Sequence, residues 1–92
     1  MIRNFKHKGL REFFNNGSIK GINPAHADKL ATRLDRLNAS VCPGDMRLPG
    51  YRLHELGGQE KGTFAINVSG AWRMTFKFDA DNATDVDYCQ YH

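Results

Sequence analysis

The chain has 92 residues and a formal net charge of +3, with eight Lys/Arg against three acids in residues 1–36, and four aspartates and no Lys/Arg in residues 79–92. A chain this short can build one modest core, so a single domain over residues 1–92 is expected, and no run approaches the roughly 20 apolar residues of a membrane helix. The uneven charge fits either two solvated faces that attract each other or a surface for an anionic partner.

The start, MIRNFKHKG, has no apolar stretch resembling a signal peptide, so a cytoplasmic protein without membrane contact is expected. Cys42 and Cys89 show neither a CxxC nor a His/Cys zinc spacing; free thiols, with no metal or cofactor, are the reading.

Ile2 to Phe5 can serve as an edge strand. Leu10, Phe13 and Phe14 then have the i, i+3, i+4 spacing of a short helix, which Gly17 can stop in the left-handed conformation, while Gly9 weakens its first turn. A second helix is announced by Asn23 as cap and Pro24 at the first helical position. Ala27, Leu30, Ala31, Leu34 and Leu37 form its core stripe, and Lys29, Arg33 and Arg36 fall on the remaining surface. CPGDMRLPG is a loop, and Tyr51 to Leu56 reads as a strand with Tyr51 and Leu53 inward, Arg52 and His54 outward.

The run FAINVSGAWRMTFKF, Phe64 to Phe78, alternates with strand period across a hairpin. A three-residue turn, Ser69-Gly70-Ala71, sets Val68 against Trp72, Ile66 against Met74 and Phe64 against Phe76 on an apolar face. Thr63, Ala65, Asn67, Arg73, Thr75 and Lys77 share the opposite, polar face. Thr84 to Tyr91 forms a last strand with Val86 and Tyr88 inward. Two N-terminal helices packed on one face of a small, mainly antiparallel sheet make an α+β domain.

The open polar face collects His54, Arg73 and the final Tyr91 and His92. Histidines can move protons near neutral pH, and an arginine can hold a phosphate by bidentate contact. Tyr91 can stack on a base or orient the phosphate. Those are the parts needed to cleave RNA without a metal. Each has a plainer reading as well: Arg73 can pair with Asp85 or Asp87, and the last two residues can fray. His7 and His26 have no partner pattern and are read as surface residues.

The segments FKHKGL, YRLHEL, AWRMTFKF and the closing YH resemble the HigB toxins of the RelE superfamily, in order and spacing along essentially the whole chain. The resemblance implies a compact RelE-like toxin of a type II toxin-antitoxin system, an endoribonuclease that cuts messenger RNA in the A site of the 70S ribosome and so inhibits translation. It implies a HigA-type helix-turn-helix antitoxin as partner, with DNA reached only through that antitoxin. By position it places the active site on His54, Arg73, Tyr91 and His92. Gly57 stands where family members often carry a lysine, and Gln90 where they often carry an aspartate, removing a cation and a carboxylate from the expected site.

A non-catalytic RNA- or ribosome-binding module is the alternative. In either case Lys6, Lys8, Arg11, Lys29, Arg33, Arg36 and Lys77 are the candidate phosphate contacts. A third reading is an interaction protein whose basic helices meet an acidic partner.

Overall fold

In the computed structural model, which describes residues 1–91, two helices precede a four-stranded sheet. Helix α1 spans Lys8–Asn16 and ends at Gly17, whose φ of 76° and N–H donation to the Phe13 carbonyl close the last turn. Glycine suits that position because it has no Cβ to collide. Asn23 and Pro24 start a short 3-10 turn, Pro24–His26, and helix α2, Ala27–Ala39, continues from it.

The buried side of α2 differs from the expected stripe. Leu30, Leu34 and Leu37 are buried, Ala31 is exposed, and Arg33, expected on the surface, is only 9% exposed. Its guanidinium lies 4.4 Å from the Tyr51 ring centroid, and its Nε donates to the Asn67 carbonyl at 2.7 Å. A long apolar stem lets arginine cross the helix edge while its polar head finds partners inside.

Strands β1 (His54–Glu55), β2 (Phe64–Ser69), β3 (Trp72–Asp79) and β4 (Asn82–Gln90) pair in that order, each antiparallel to the next. Ile66, Val68, Met74, Phe76, Val86 and Tyr88 pack with Leu10 and the α2 leucines in one core. The helices thus cover one sheet face, an α+β fold.

The hairpin keeps the pairs Phe64 with Phe76 and Ile66 with Met74 but closes differently from the expected turn. Its loop is Gly70-Ala71, Ser69 stands opposite Trp72, and Val68 is the extra residue of a bulge. The bulge absorbs the odd residue, so Val68 stays in the core while the turn tightens to two residues.

Two other strands are shorter than expected. Arg52 takes φ 51°, which breaks the extended run from Tyr51 and leaves His54–Glu55 as the strand, with the Tyr51 carbonyl still accepting from the Asn67 N–H. Ile2 to Phe5 makes two parallel bridges to β4, Ile2 with Ala83 and Phe5 with Val86, instead of a full strand. Between them β4 bulges at Asp85, φ 51°, whose N–H donates to the Asn4 side-chain oxygen at 2.9 Å.

The surface placement expected for His7 and His26 also fails. The Nδ1 of His7 accepts from the Leu10 N–H at 2.9 Å and caps α1, while its ring meets Tyr88 edge-on. His26 is 6% exposed, with Nδ1 2.6 Å from the Tyr88 hydroxyl. Both rings occupy the seam between the helices and β4. Cys42 is exposed and Cys89 half-buried, both as free thiols. Among the described residues no helix is long and apolar enough to cross a membrane.

Candidate active site

Cross-strand register lays out the polar face. His54 stands opposite Ala65, Ala65 opposite Thr75, and Thr75 opposite Asp87. The next row of that face is Asn67, Arg73 and Cys89. Beyond β4 the Tyr91 N–H donates to the Ala71 carbonyl at 2.9 Å, prolonging the ladder so that Tyr91 alternates onto the side of Cys89 and Arg73. His54, Arg73 and Tyr91 therefore share one face, the one turned away from the helices. His54 sits two strands from Arg73, a lateral offset of about 10 Å, so a substrate group can lie between them without the two touching. His92 lies outside the described residues.

Arg73 is held by one end of its guanidinium. Nη1 donates to Asn67 Oδ1 at 2.8 Å, to the Gly70 carbonyl at 2.6 Å and to the Trp72 carbonyl at 3.0 Å. These bonds replace the ion pair with Asp85 or Asp87 that charge alone suggested. None of them uses Nη2 or Nε, so the other edge of the fork can meet an anion.

His54 is exposed, and its Nδ1 lies 3.0 Å from the Arg52 carbonyl. A carbonyl only accepts, so Nδ1 carries the proton in this bond and the neutral ring presents an unprotonated Nε2. The left-handed turn at Arg52 that shortens β1 is what brings this carbonyl back to the ring.

Beside Arg73 the face hollows into a cavity of about 280 Å³. Thr63, Thr75, Lys77, Asp85, Asp87 and Cys89 come from the sheet, and Lys6, Gln59, Glu60 and Tyr91 from the surrounding segments. The face is thus less open at its centre than its polar sequence suggests: Ala65 and Thr75 are buried. Asp87 Oδ1 accepts from the Tyr88 N–H at 2.9 Å, and Asp85 Oδ1 from the Asn4 amide at 3.1 Å. Carboxylates repel phosphate and accept from the amino groups of bases, so this lining suits a base edge beside a phosphate held at Arg73.

Loss of water around Tyr91, reinforced by the neighbouring Cys89, pushes its phenol up to about 12. It is therefore a protonated hydrogen-bond donor throughout the neutral range and no base. Burial likewise pushes the Cys89 thiol up, which keeps it protonated and poorly nucleophilic.

Of the basic candidates, Lys6 and Lys77 line the cavity. Lys8 and Arg11 lie on α1, and Lys29 and Arg36 on α2, outside that lining, with Arg36 Nε donating to the Asp45 carbonyl at 3.0 Å. Arg33 points inward, as described. Missing from the sequence reading were the cavity roles of Asp85, Asp87, Glu60 and Cys89. Strand alternation from Arg73 could have flagged Cys89; the bulge at Asp85 hides its neighbour from such counting.

A pair of helices backing one side of an antiparallel four-stranded meander, with the polar side bare, is consistent with the RelE-like toxins. Residues 3–92 match the family described as RelE-like toxin of type II toxin-antitoxin system HigB. The chain is 35% identical over 92 residues to Endoribonuclease HigB of Proteus vulgaris, spanning 100% of both proteins. It is 30% identical over 80 residues to Toxin HigB-1 of Vibrio cholerae serotype O1, spanning 85% of this chain and 84% of that protein. The chain belongs to the HigB-like toxin family, and that family implies an antitoxin partner.

Proposed function

We propose that this toxin is an endoribonuclease that cleaves messenger RNA in the ribosomal A site and thereby stops translation. The observation that carries the reading is the shared polar face, on which Arg73 bonds its described partners through Nη1 alone and the exposed His54 is held through Nδ1 at the Arg52 carbonyl, which leaves Nε2 for a substrate. The Proteus vulgaris relative's name, an endoribonuclease, supports the same chemistry.

In this reading His54 Nε2 takes the proton of the 2'-hydroxyl, the 2'-oxygen attacks the adjacent phosphorus, and the bond to the 5'-oxygen breaks. Arg73 stabilises the charge that develops on the phosphoryl oxygens, a task that needs no metal. Tyr91 donates a hydrogen bond to the substrate, and His92 protonates the leaving oxygen. Lys6 and Lys77 draw the phosphate backbone toward the cavity; Lys8, Arg11, Lys29 and Arg36 contribute to ribosome contact. A HigA-type antitoxin neutralises the toxin in the cytoplasm, and DNA is contacted through that antitoxin alone.

A shallow face built on so small a protein does little to order a flexible RNA, so the ribosome supplies the orientation. The test is a comparison of one message, free and ribosome-bound, at equal toxin concentration. Cleavage confined to the ribosome-bound message is expected. Equal cleavage of naked RNA would refute ribosome dependence, and cleavage of neither would leave a binding module as the better description.

A further inference from the structure

We infer that Asn67 is a positioning residue for Arg73: its side-chain oxygen fixes the guanidinium so that Nε and Nη2 face the scissile phosphate. The inference rests on the reading above, in which Arg73 stabilises the developing charge. Nη1 carries two hydrogens and has three acceptors within 3.0 Å, so it is saturated by the protein itself. Because the guanidinium is planar and rigid, holding one nitrogen sets the direction of the other two. Arginine otherwise loses much rotamer freedom on gripping a phosphate; here that ordering precedes substrate binding.

Two of the three acceptors are carbonyls of the hairpin end, Gly70 in the exposed turn and Trp72 beside it. Asn67 differs because its own backbone is clamped on two sides. Its N–H donates to the Tyr51 carbonyl at 2.6 Å, and its carbonyl accepts from the buried Arg33 Nε at 2.7 Å. It also stands directly opposite Arg73 in the β2–β3 ladder, immediately before the Val68 bulge. The core thus holds Asn67, and Asn67 holds Arg73. An amide suits this task because it accepts a hydrogen bond without cancelling the positive charge needed at the phosphate.

Both clamps on Asn67 act through main-chain atoms, so side-chain replacement leaves them in place. Asn67→Ala removes the acceptor, and Asn67→Leu removes it while preserving bulk, which guards against a variant that merely packs badly. Two readouts are needed. In the free protein, nitrogen-edited NMR of the Arg73 side chain should give resolved Nη proton signals from a restrained guanidinium, measurably broadened in both variants, where Nη1 keeps the Gly70 and Trp72 carbonyls but loses the partner fixed to the core. On programmed ribosomes, both variants should cleave about tenfold more slowly or worse at saturation, with the half-saturating toxin concentration within about twofold of wild type. A purely structural role would produce neither the broadening nor that split. Unchanged guanidinium signals or wild-type cleavage by Asn67→Ala and Asn67→Leu would overturn the inference. Full cleavage by Arg73→Ala would instead overturn the catalytic reading itself, so the two failures are distinguishable.

Discussion

Replacing Arg33 with methionine separates a structural arginine from an RNA-binding one. Methionine keeps the apolar stem but removes the bond from Nε to the Asn67 carbonyl at 2.7 Å and the stacking 4.4 Å above Tyr51. A hydrogen bond from a charged donor contributes about 1.5–3 kcal/mol, and a cation over an aromatic ring about 0.5–2 kcal/mol. A loss of about 2–4 kcal/mol is therefore expected, which at a urea slope of about 1–3 kcal/mol per molar lowers the unfolding midpoint by roughly 1–4 M. Lys29→Met, on an exposed position of the same helix, should stay within about 0.5 kcal/mol of wild type. The assay is equilibrium urea unfolding of the free toxin followed by tryptophan fluorescence. If Arg33→Met unfolds together with Lys29→Met, Arg33 carries no structural weight and its burial has been misjudged.

Gly9→Ala should destabilise the protein even though alanine is the better helix former by about 1 kcal/mol. A Cβ on Gly9 would stand 2.7 Å from the Gly21 Cα, a backbone contact with no flexible side chain to yield; a lowered thermal midpoint is expected, and a raised one would refute the close approach. Gly57→Lys should fold normally, because Gly57 is extended (φ −97°, ψ −179°) and an added Cβ meets nothing within 4 Å. It returns the cation that family members often place there, and cleavage on ribosomes should rise by about three- to tenfold; an unchanged rate would show that position 57 does not reach the phosphate. Alkaline stability follows from the phenols. Burial raises Tyr88, and loss of water raises Tyr91 to about 12, so both stay protonated in the fold at a pH where the unfolded chain has ionised. With fewer protons on the unfolded state, stability must fall as pH rises above about 10 and through 12. Tyr88→Phe and Tyr91→Phe should flatten that decline in pH-dependent unfolding, and an unaltered decline would contradict the assignment.

Much of the sheet was legible because period-two alternation is a strong local signal. Phe64, Ile66, Met74 and Phe76 pair as their spacing demands, and the same parity puts Asn67 and Arg73 on one polar face. What defeated the reading was non-local or depended on a single dihedral. The bulge at Val68 preserves the apolar face while moving the turn, and the positive φ of Arg52 and Asp85 is not encoded by any glycine. Arg33 looked solvated because its helix position is polar by type; only the approach of Tyr51 and the Asn67 carbonyl makes burial tolerable. His26 is hidden for the same reason, its partner Tyr88 lying 62 positions along the chain. The catalytic candidates came through resemblance more than pattern, and the fold adds to it the orientation of His54 and the tethering of Arg73.

The most direct test is primer extension on a defined message in a reconstituted translation reaction, comparing wild type, Arg73→Ala and Lys20→Ala. New 5'-ends at A-site codons are predicted with wild type and Lys20→Ala, since Lys20 is exposed and lies outside the cavity lining, and none with Arg73→Ala. Ends that persist in Arg73→Ala, or that wild type never produces, would contradict the assignment of the polar sheet face as the centre of RNA cleavage.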